Sequence, residues 1–560
     1  MTGDRTVEEE PAGGGHGGVA ARPRLLGAFP RPAAFWCGFL VAIAGVALHL
    51  PMFVSAAPMD YRMAGMPMDP AMYLGMALII AGQAATAYGL VPRGRARGRT
   101  ASGPRIRPDD GAPLNRAHIT LVAVLVTAVT VDAMKPITLG FVAPGMTAEY
   151  GLRSPLNPDG ALPVALLPLS GLTGTVIGSF LWGSLADRIG RRSAILLAGV
   201  LFVTTAVCGA MPSFTWNLVM CALMGVAAGG MLPITFSLLA ETIPARHRGW
   251  VMVLIGGTPA IAYALTGWLA AELMPDYSWR VMWLIGAPTG ALLIVLNRWI
   301  PESPRFLLLH GRTREAARVM ATYGATATPS PEPGTGPGPE PESPASPTTP
   351  TVAGPGGTGG YGPLFRFPFT GFSSAVLIFG LGIGLVTYGF QLWIPTNLRV
   401  LGLDAQTADR ALRDAAFLGL PLIGAAAALY ALWSAQKTLI GLGALVTAAM
   451  AVFALVGEAL AEGGALYLLL AVPIAGTAVL TAVLTAYTSE LYPTRLRSRG
   501  CGLCAGAGKI GGVAVSAVLV AGLAIPSVQS TSLLGLFPLL AALITFYYRP
   551  APGTLAPTAR

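Results

Sequence analysis

The residues best placed to do chemistry in this chain are a few charges and amides set in apolar surroundings. Asp132 and Lys135 lie three residues apart in the apolar run 117–143. On a helix that spacing separates them by about 60°, so they share one face. A charge at the centre of a bilayer costs roughly 2.5–3.5 kcal/mol, so the pair must face protein or a water-filled cavity. Only three lysines occur, Lys135, Lys437 and Lys509, and two of them fall within apolar runs. A lysine amine is a compact charge that can lose its proton, whereas a guanidinium keeps its own. The expected chemistry is proton exchange at Asp132. Lys135 would hold the carboxylate ionised in one state, and substrate or helix motion would weaken the pairing. The alternative is a permanent structural ion pair. Lys509, in Gly508-Lys509-Ile-Gly511, suits an anionic ligand or a partner carboxylate; the alternative is helix packing or snorkelling.

Uncharged polar groups extend this list. Tyr388, Gln391 and Asn397 fall in the run 370–398, and amides are hard to satisfy locally within a helix. Thr477, Thr481 and Thr485 recur every four residues in 464–488, one stripe on one face. Substrate contact is one reading of these groups. For the threonines, hydroxyls bonded to their own i−4 carbonyls or small residues at a helix contact are the other.

The elements that carry these residues follow from composition. Of 560 residues, 53% are hydrophobic and 11% charged, against about 25% charged in an average soluble domain. Mean hydropathy is +0.63. Fourteen apolar stretches between positions 35 and 548 are each about long enough to cross a hydrocarbon core of roughly 30 Å. Without water, backbone groups must bond within the segment, so the stretches are helices. A disordered chain, a soluble enzyme with a membrane tail and a nucleic-acid-binding module are excluded. The first stretch, with basic residues before it and Val54-Ser55-Ala56 after it, also has features of a signal peptide. Its length and Trp36 favour a retained span.

Basic residues set the orientation. With both ends cytosolic, 28 of the 36 Lys and Arg fall in cytosolic segments, six in external loops (Arg62, Arg153, Arg280, Arg399, Arg410, Arg413) and two in spans. The net charge of +10 thus reflects membrane topology. The expected organisation is a disordered cytosolic tail at 1–34 and an extra transmembrane hairpin at 35–91. A basic loop follows at 92–115, then a six-helix half at 116–300. A cytosolic central loop spans 301–368, with an amphipathic helix over 301–323 and a flexible linker over 325–360. A second six-helix half covers 369–548 and a cytosolic tail 549–560. The halves repeat internally: Glu241, Pro244, Arg246 and Arg248 recur 249 residues later as Glu490, Pro493, Arg495 and Arg497. Related halves of this kind place one site between them.

The link between the second and third helices of the first half reads Gly183-Ser-Leu-Ala-Asp187-Arg188-Ile-Gly190-Arg191-Arg192. It resembles the signature loop of the major facilitator superfamily. Pro301-Glu302-Ser303-Pro304-Arg305 and the two Glu-x-x-Pro-x-Arg-x-Arg segments resemble the sugar-porter branch, which includes metabolite:proton symporters. The resemblance covers about 116–548. It implies an all-α polytopic 6+6 bundle, here preceded by the extra hairpin. It also implies a gating latch on the cytosolic side, built from Gly183, Asp187, Arg188, Gly190, Arg191, Arg192, Glu241, Arg246, Arg248, Glu490, Arg495 and Arg497. The paired glutamines of sugar porters are absent from the seventh helix of the twelve, and the Gly-Pro motif of drug exporters is absent from the fifth, where Gly257-Thr258-Pro259 stands. Neither a hexose nor a drug is therefore the expected cargo.

Seven methionines, Met52, Met59, Met63, Met66, Met68, Met72 and Met76, cluster around the external loop of the extra hairpin with His49. Thioethers select Cu(I), so copper binding is one reading and adaptable apolar packing the other. The five cysteines are scattered and form no disulfide framework. Cys501 and Cys504 read as small buried residues, with no metal site assigned. The whole points to a plasma-membrane secondary transporter and not an enzyme. It would need no cofactor and would act as a monomer with a small-molecule substrate, a proton and the lipid bilayer as partners. A proton symporter of a small organic metabolite, possibly an anion, is the first expectation. An exporter, a copper transporter and a non-transporting sensor are the alternatives.

Overall fold

The computed structural model describes residues 30–92, 105–109, 111–328, 362–367, 369–456, 464–492 and 497–548. Most of the expected terminal tails, parts of both long loops, and Arg495 lie outside these residues. Fourteen helices among them are long and apolar enough to span a membrane. They are α1 (Pro32–Ser55), α2 (Pro70–Leu90), α3 (Arg116–Tyr150), α4 (Leu166–Ile189), α5 (Arg191–Ala210), α6 (Phe214–Thr242), α7 (Ala245–Tyr277), α8 (Val281–Trp299), α9 (Thr370–Gln391), α10 (Ala405–Leu432), α11 (Ala435–Val456), α12 (Ala465–Leu491), α13 (Gly500–Val520) and α14 (Val528–Tyr547).

Local chemistry sets several of the ends. Proline opens α1 and α2, where its missing N–H costs nothing. The Asp69 carboxylate accepts from Ala71 N–H at the start of α2. Asn115 and His118 cap α3 reciprocally, each side chain accepting the other's backbone N–H. Gly151 ends α3 in the left-handed conformation. Helix α9 closes with a π-helical turn, Val386–Gln391, and the chain continues as a short helix, Ile394–Val400.

Helices α3–α8 and α9–α14 form two six-helix halves. They meet where α7 packs along α10 and α12, α4 along α13, and α3 against the 394–400 segment. One apolar core runs through both halves and the hairpin. The hairpin closes on glycines spaced by seven. A Cβ on Gly82 would lie 2.5 Å from Ala42 N, and one on Gly45 would lie 2.6 Å from the Gly75 carbonyl. Small residues let helix backbones touch in lipid, where hydrophobicity does not drive association.

The hairpin is also fastened to the first half by hydrogen bonds. Gln83 donates to Thr204 Oγ1 at 2.8 Å. The backbone N–H groups of Met63 and Ala64 donate to Glu149 Oε1 at 2.7 and 3.0 Å. The same carboxylate pairs with the fully buried Arg280 at 2.6 Å.

Two details of the loops differ from expectation. The helix expected over 301–323 is two, Pro304–Leu309 and Thr313–Tyr323, separated at Gly311, whose φ is 72°. Ala325–Thr328 (β2), expected as linker, pairs antiparallel with Arg105–Pro108 (β1), so the two long loops are joined by a short ribbon. Apolar periodicity gives no signal for so short a strand pair.

Candidate central cavity and its flanking networks

A cavity of about 210 Å³ lies between the halves. The first half contributes Asp132 and Pro136 from α3, Thr175 from α4, Gly229 from α6 and Tyr263 from α7. The second contributes Tyr388 and Gln391 from α9, Thr477 and Thr481 from α12, and Lys509 from α13. Apart from these groups the wall is mostly apolar. The kink-prone Pro136 and Pro144 inside α3, and the π-helical turn in α9, interrupt the two helices that carry Asp132 and Gln391.

Asp132 is 7% exposed, and its Oδ1 has no hydrogen-bond partner among the described residues. The opposite charge acting on it is Lys509. The two do not form a contact ion pair. Instead the Lys509 ammonium crosses from α13 into the first half, donating to Ser179 Oγ of α4 and to the Gly229 carbonyl of α6, the latter at 3.1 Å. The cavity therefore has an acid on one half and a cation on the other, with the cation tied to the acid's half.

The expected Asp132–Lys135 pairing is not formed. Lys135 lies outside the cavity lining, its Nζ against Gly286 of α8 and 5.8 Å from the Phe202 ring centroid, beside Cys208 and Cys221. The 60° offset is enough to send the long lysine stem into the interior of the first half while the short aspartate stays at the cavity. Asn397 also departs from its expected place. It is buried on the 394–400 segment and lines a second cavity, with Trp393, at the end of the bundle away from the described termini.

Other expected contacts line the cavity with their polar atoms partly spoken for. Thr477 donates to the Pro473 carbonyl at 2.9 Å and Thr481 to the Thr477 carbonyl at 2.8 Å, so each wall threonine is back-bonded. Gln391 Nε2 donates to the Pro473 and Ile474 carbonyls at 2.7 and 3.0 Å. Gln391 Oε1 makes no hydrogen bond among the described residues. Ser179, Tyr263 and Thr175 were not expected at this site; isolated hydroxyls in apolar helices carry no sequence signal.

The residues expected to form the gate lie at the other end. Glu302 Oε1 accepts from the backbone N–H groups of Arg191, Ser303 and Arg192 at 2.7, 3.0 and 3.3 Å. A carboxylate thus caps the α5 N-terminus, where the helix dipole favours it. Burial pushes Glu302 above its ordinary carboxylate value, and the three N–H donors pull it partly back. Gly190 has φ 95°, and a Cβ there would lie 2.3 Å from Glu302 Oε2, so only glycine fits. The Arg191 guanidinium pairs with Glu241 and reaches Ser303 Oγ at 2.6 Å; Ser303 in turn donates to Glu241 Oε2 at 2.6 Å.

These contacts join the first half to the start of the central loop, and none of them involves the second half. Arg248 donates to the Ile243 carbonyl at 3.2 Å. Gly183, Asp187, Arg188 and Arg246 lie at this end, and the last three are exposed. The second half meets the first at Gly249, which backs onto the Tyr430 ring and onto Glu490. Arg497 begins the helix that continues into α13.

The methionine cluster is mostly packed. Met52, Met63 and Met72 are buried, Met66, Met68 and Met76 partly so against the core, and Met59 is 46% exposed. His49 Nδ1 is bonded to the Gly45 carbonyl at 2.8 Å, and its buried Nε2 has no partner among the described residues.

Comparison with known proteins agrees with this architecture. The chain is similar to the niacin transporter NiaP of Acinetobacter baylyi, 24% identical over 73% of this chain and 88% of that protein. It is 27% identical to a gallate transporter of Pseudomonas putida, over 78% and 92% of the two chains. It is 26% identical to the 4-hydroxybenzoate transporter PcaK of A. baylyi, over 72% and 84%. Among solved structures, the xylose transporter XylE of E. coli in a partially occluded inward-open conformation superposes with a TM-score of 0.58. The match covers 79% of this chain and 99% of that one at 15% identity. The sequence profile of the Major Facilitator Superfamily matches residues 120–514. With two six-helix halves enclosing one central cavity, this multi-pass membrane protein belongs to the Major Facilitator Superfamily.

Proposed function

We propose that this protein is a plasma-membrane secondary transporter that moves a small aromatic carboxylate inward with a proton, both termini facing the cytoplasm. The observation that carries the reading is the placement of Asp132 and Lys509 on opposite halves of one mostly apolar cavity. An apolar wall with Tyr263 and Tyr388 suits a ring, and a lone ammonium suits a carboxylate. Niacin, gallate and 4-hydroxybenzoate, the solutes of the three relatives, are all small aromatic acids.

In the proposed cycle the substrate carboxylate binds Lys509 and displaces its bonds to Ser179 and Gly229. Lys509 then no longer compensates Asp132, which takes a proton from the side to which the cavity is open. Charges on both sides of the interface are neutralised, and the halves rock to expose the site to the other side. Loss of the proton from Asp132 restores its attraction for Lys509 and expels the acid. Lys135 has no part in this exchange. Among the gating residues, Gly190, Arg191, Glu241 and Glu302 hold the cytosolic ends of the first half, and Glu490 backs the contact with Gly249.

Thermal stabilisation of the purified protein by nicotinate, gallate and 4-hydroxybenzoate tests the reading. A ligand that binds only the native state adds about 2.7 kcal/mol at one hundred times Kd. The proposal expects stabilisation by at least one acid, lost in Lys509→Ala. Stabilisation by neutral solutes alone, or unchanged in Lys509→Ala, would overturn it.

A further inference from the structure

We propose that the second cavity is an outer loading site for the same aromatic carboxylate, an inference that rests on the substrate class assigned above. This cavity, of about 560 Å³, opens between the connection from α3 to α4, the 394–400 segment and the turn joining α13 to α14. Among the described residues its lining contains one cation, Arg153, and no carboxylate. The Arg153 side chain is exposed and makes no hydrogen bond or ion pair among the described residues.

Deeper in, Trp393 and Asn397 stand one turn apart on the same helical face. They are 3% and 2% exposed, and both the indole Nε1 and the amide Nδ2 lack acceptors among the described residues. Buried donors are normally paired, so two unpaired donors on one cavity wall mark a place for acceptors from outside. The remaining wall, including Leu519 and Ile525, is apolar. A ring lies against Trp393 and Leu519, its carboxylate at Arg153 and a ring hydroxyl or nitrogen accepting from Nδ2 or Nε1.

The two cavities share a wall. Gln391, Leu392 and Pro395 face the central one, while Trp393 and Asn397 face the outer one. A solute held in the outer site therefore waits one helix thickness from the central site, and movement of that segment joins the two.

Equilibrium binding of radiolabelled 4-hydroxybenzoate, nicotinate and gallate to the full-length protein tests this. The inference expects two sites per chain. The outer one is weakened about tenfold by Arg153→Gln, as loss of a charge-assisted contact should do, and is also weakened by Asn397→Leu. It is retained in Lys509→Ala, which removes the central site. Arg153→Gln alters an exposed side chain, so its effect is not one of folding. One site that is lost with Lys509 and indifferent to Arg153 and Asn397 would overturn the outer site and leave the central reading intact. One site lost with Arg153 and indifferent to Lys509 would uphold the outer site and overturn the central one. No binding of any of the three acids would overturn both.

Discussion

Removing either partner of the Glu149–Arg280 pair should damage the protein far more than removing both. Arg280 is fully buried, and its guanidinium donates to Glu149 at 2.6 Å, Tyr150 Oη at 3.0 Å, and the Gly209 and Met211 carbonyls at 3.1 and 2.8 Å. In Glu149→Gln the amide oxygen in the Oε1 place can still accept from Met63 and Ala64, whereas the amide nitrogen in the Oε2 place cannot accept from Trp279, so the charge and one hydrogen bond are lost. An uncompensated buried cation costs about 3–5 kcal/mol. Arg280→Met leaves the carboxylate with its three neutral donors and should cost less, roughly 2–4 kcal/mol by the same reasoning. The double variant Glu149→Gln/Arg280→Met removes both charges at once. It should lie within about 1–2 kcal/mol of wild type, giving a coupling energy well above that of independent sites. Unfolding midpoints of the four proteins in one detergent complete the cycle. Additive losses would show that the pair is not the charge-compensated hub described here.

Three further outcomes follow from the geometry. Glu302→Gln should become more stable relative to wild type as pH rises, because the raised Glu302 carboxyl favours folding only while protonated. The difference should be constant with pH below the ordinary value of 4.5, shift in favour of the variant as pH rises above it and level off beyond the raised folded value, read from unfolding midpoints across a pH series. Gly190→Ala should cost about 1–2 kcal/mol from the left-handed backbone alone and displace Glu302 from the α5 N-terminus; an unchanged midpoint would refute the fit. Gly82→Val should part α2 from α1 and lower stability by roughly 1–3 kcal/mol, as overpacking does, while leaving acid binding at the central cavity intact.

Much of this architecture is legible in the sequence because lipid allows few solutions. A backbone without water must be helical, and the apolar runs count the helices directly. Asp132 and Lys509 stand out for the same reason, since charges in such runs are costly. What the sequence does not carry is where each side chain turns. Asp132 and Lys135 share a face by spacing, yet a short and a long side chain leave it in different directions. Asn397 follows Tyr388 by nine residues, two and a half turns at 3.6 residues per turn, which by itself puts them on opposite faces. Glu149 and Arg280 are 131 residues apart, and Arg280 reads as a loop cation until the fold buries it. The β1–β2 ribbon joins four residues of each of two loops whose composition signals no strand.

In the proposed cycle Asp132 carries the proton that drives accumulation. Proteoliposomes containing wild type or Asp132→Asn, given an inward proton gradient and a radiolabelled acid that binds, measure this directly. The account expects gradient-driven accumulation by wild type only, with exchange of labelled for unlabelled acid retained by both. Accumulation by Asp132→Asn equal to that of wild type would contradict it.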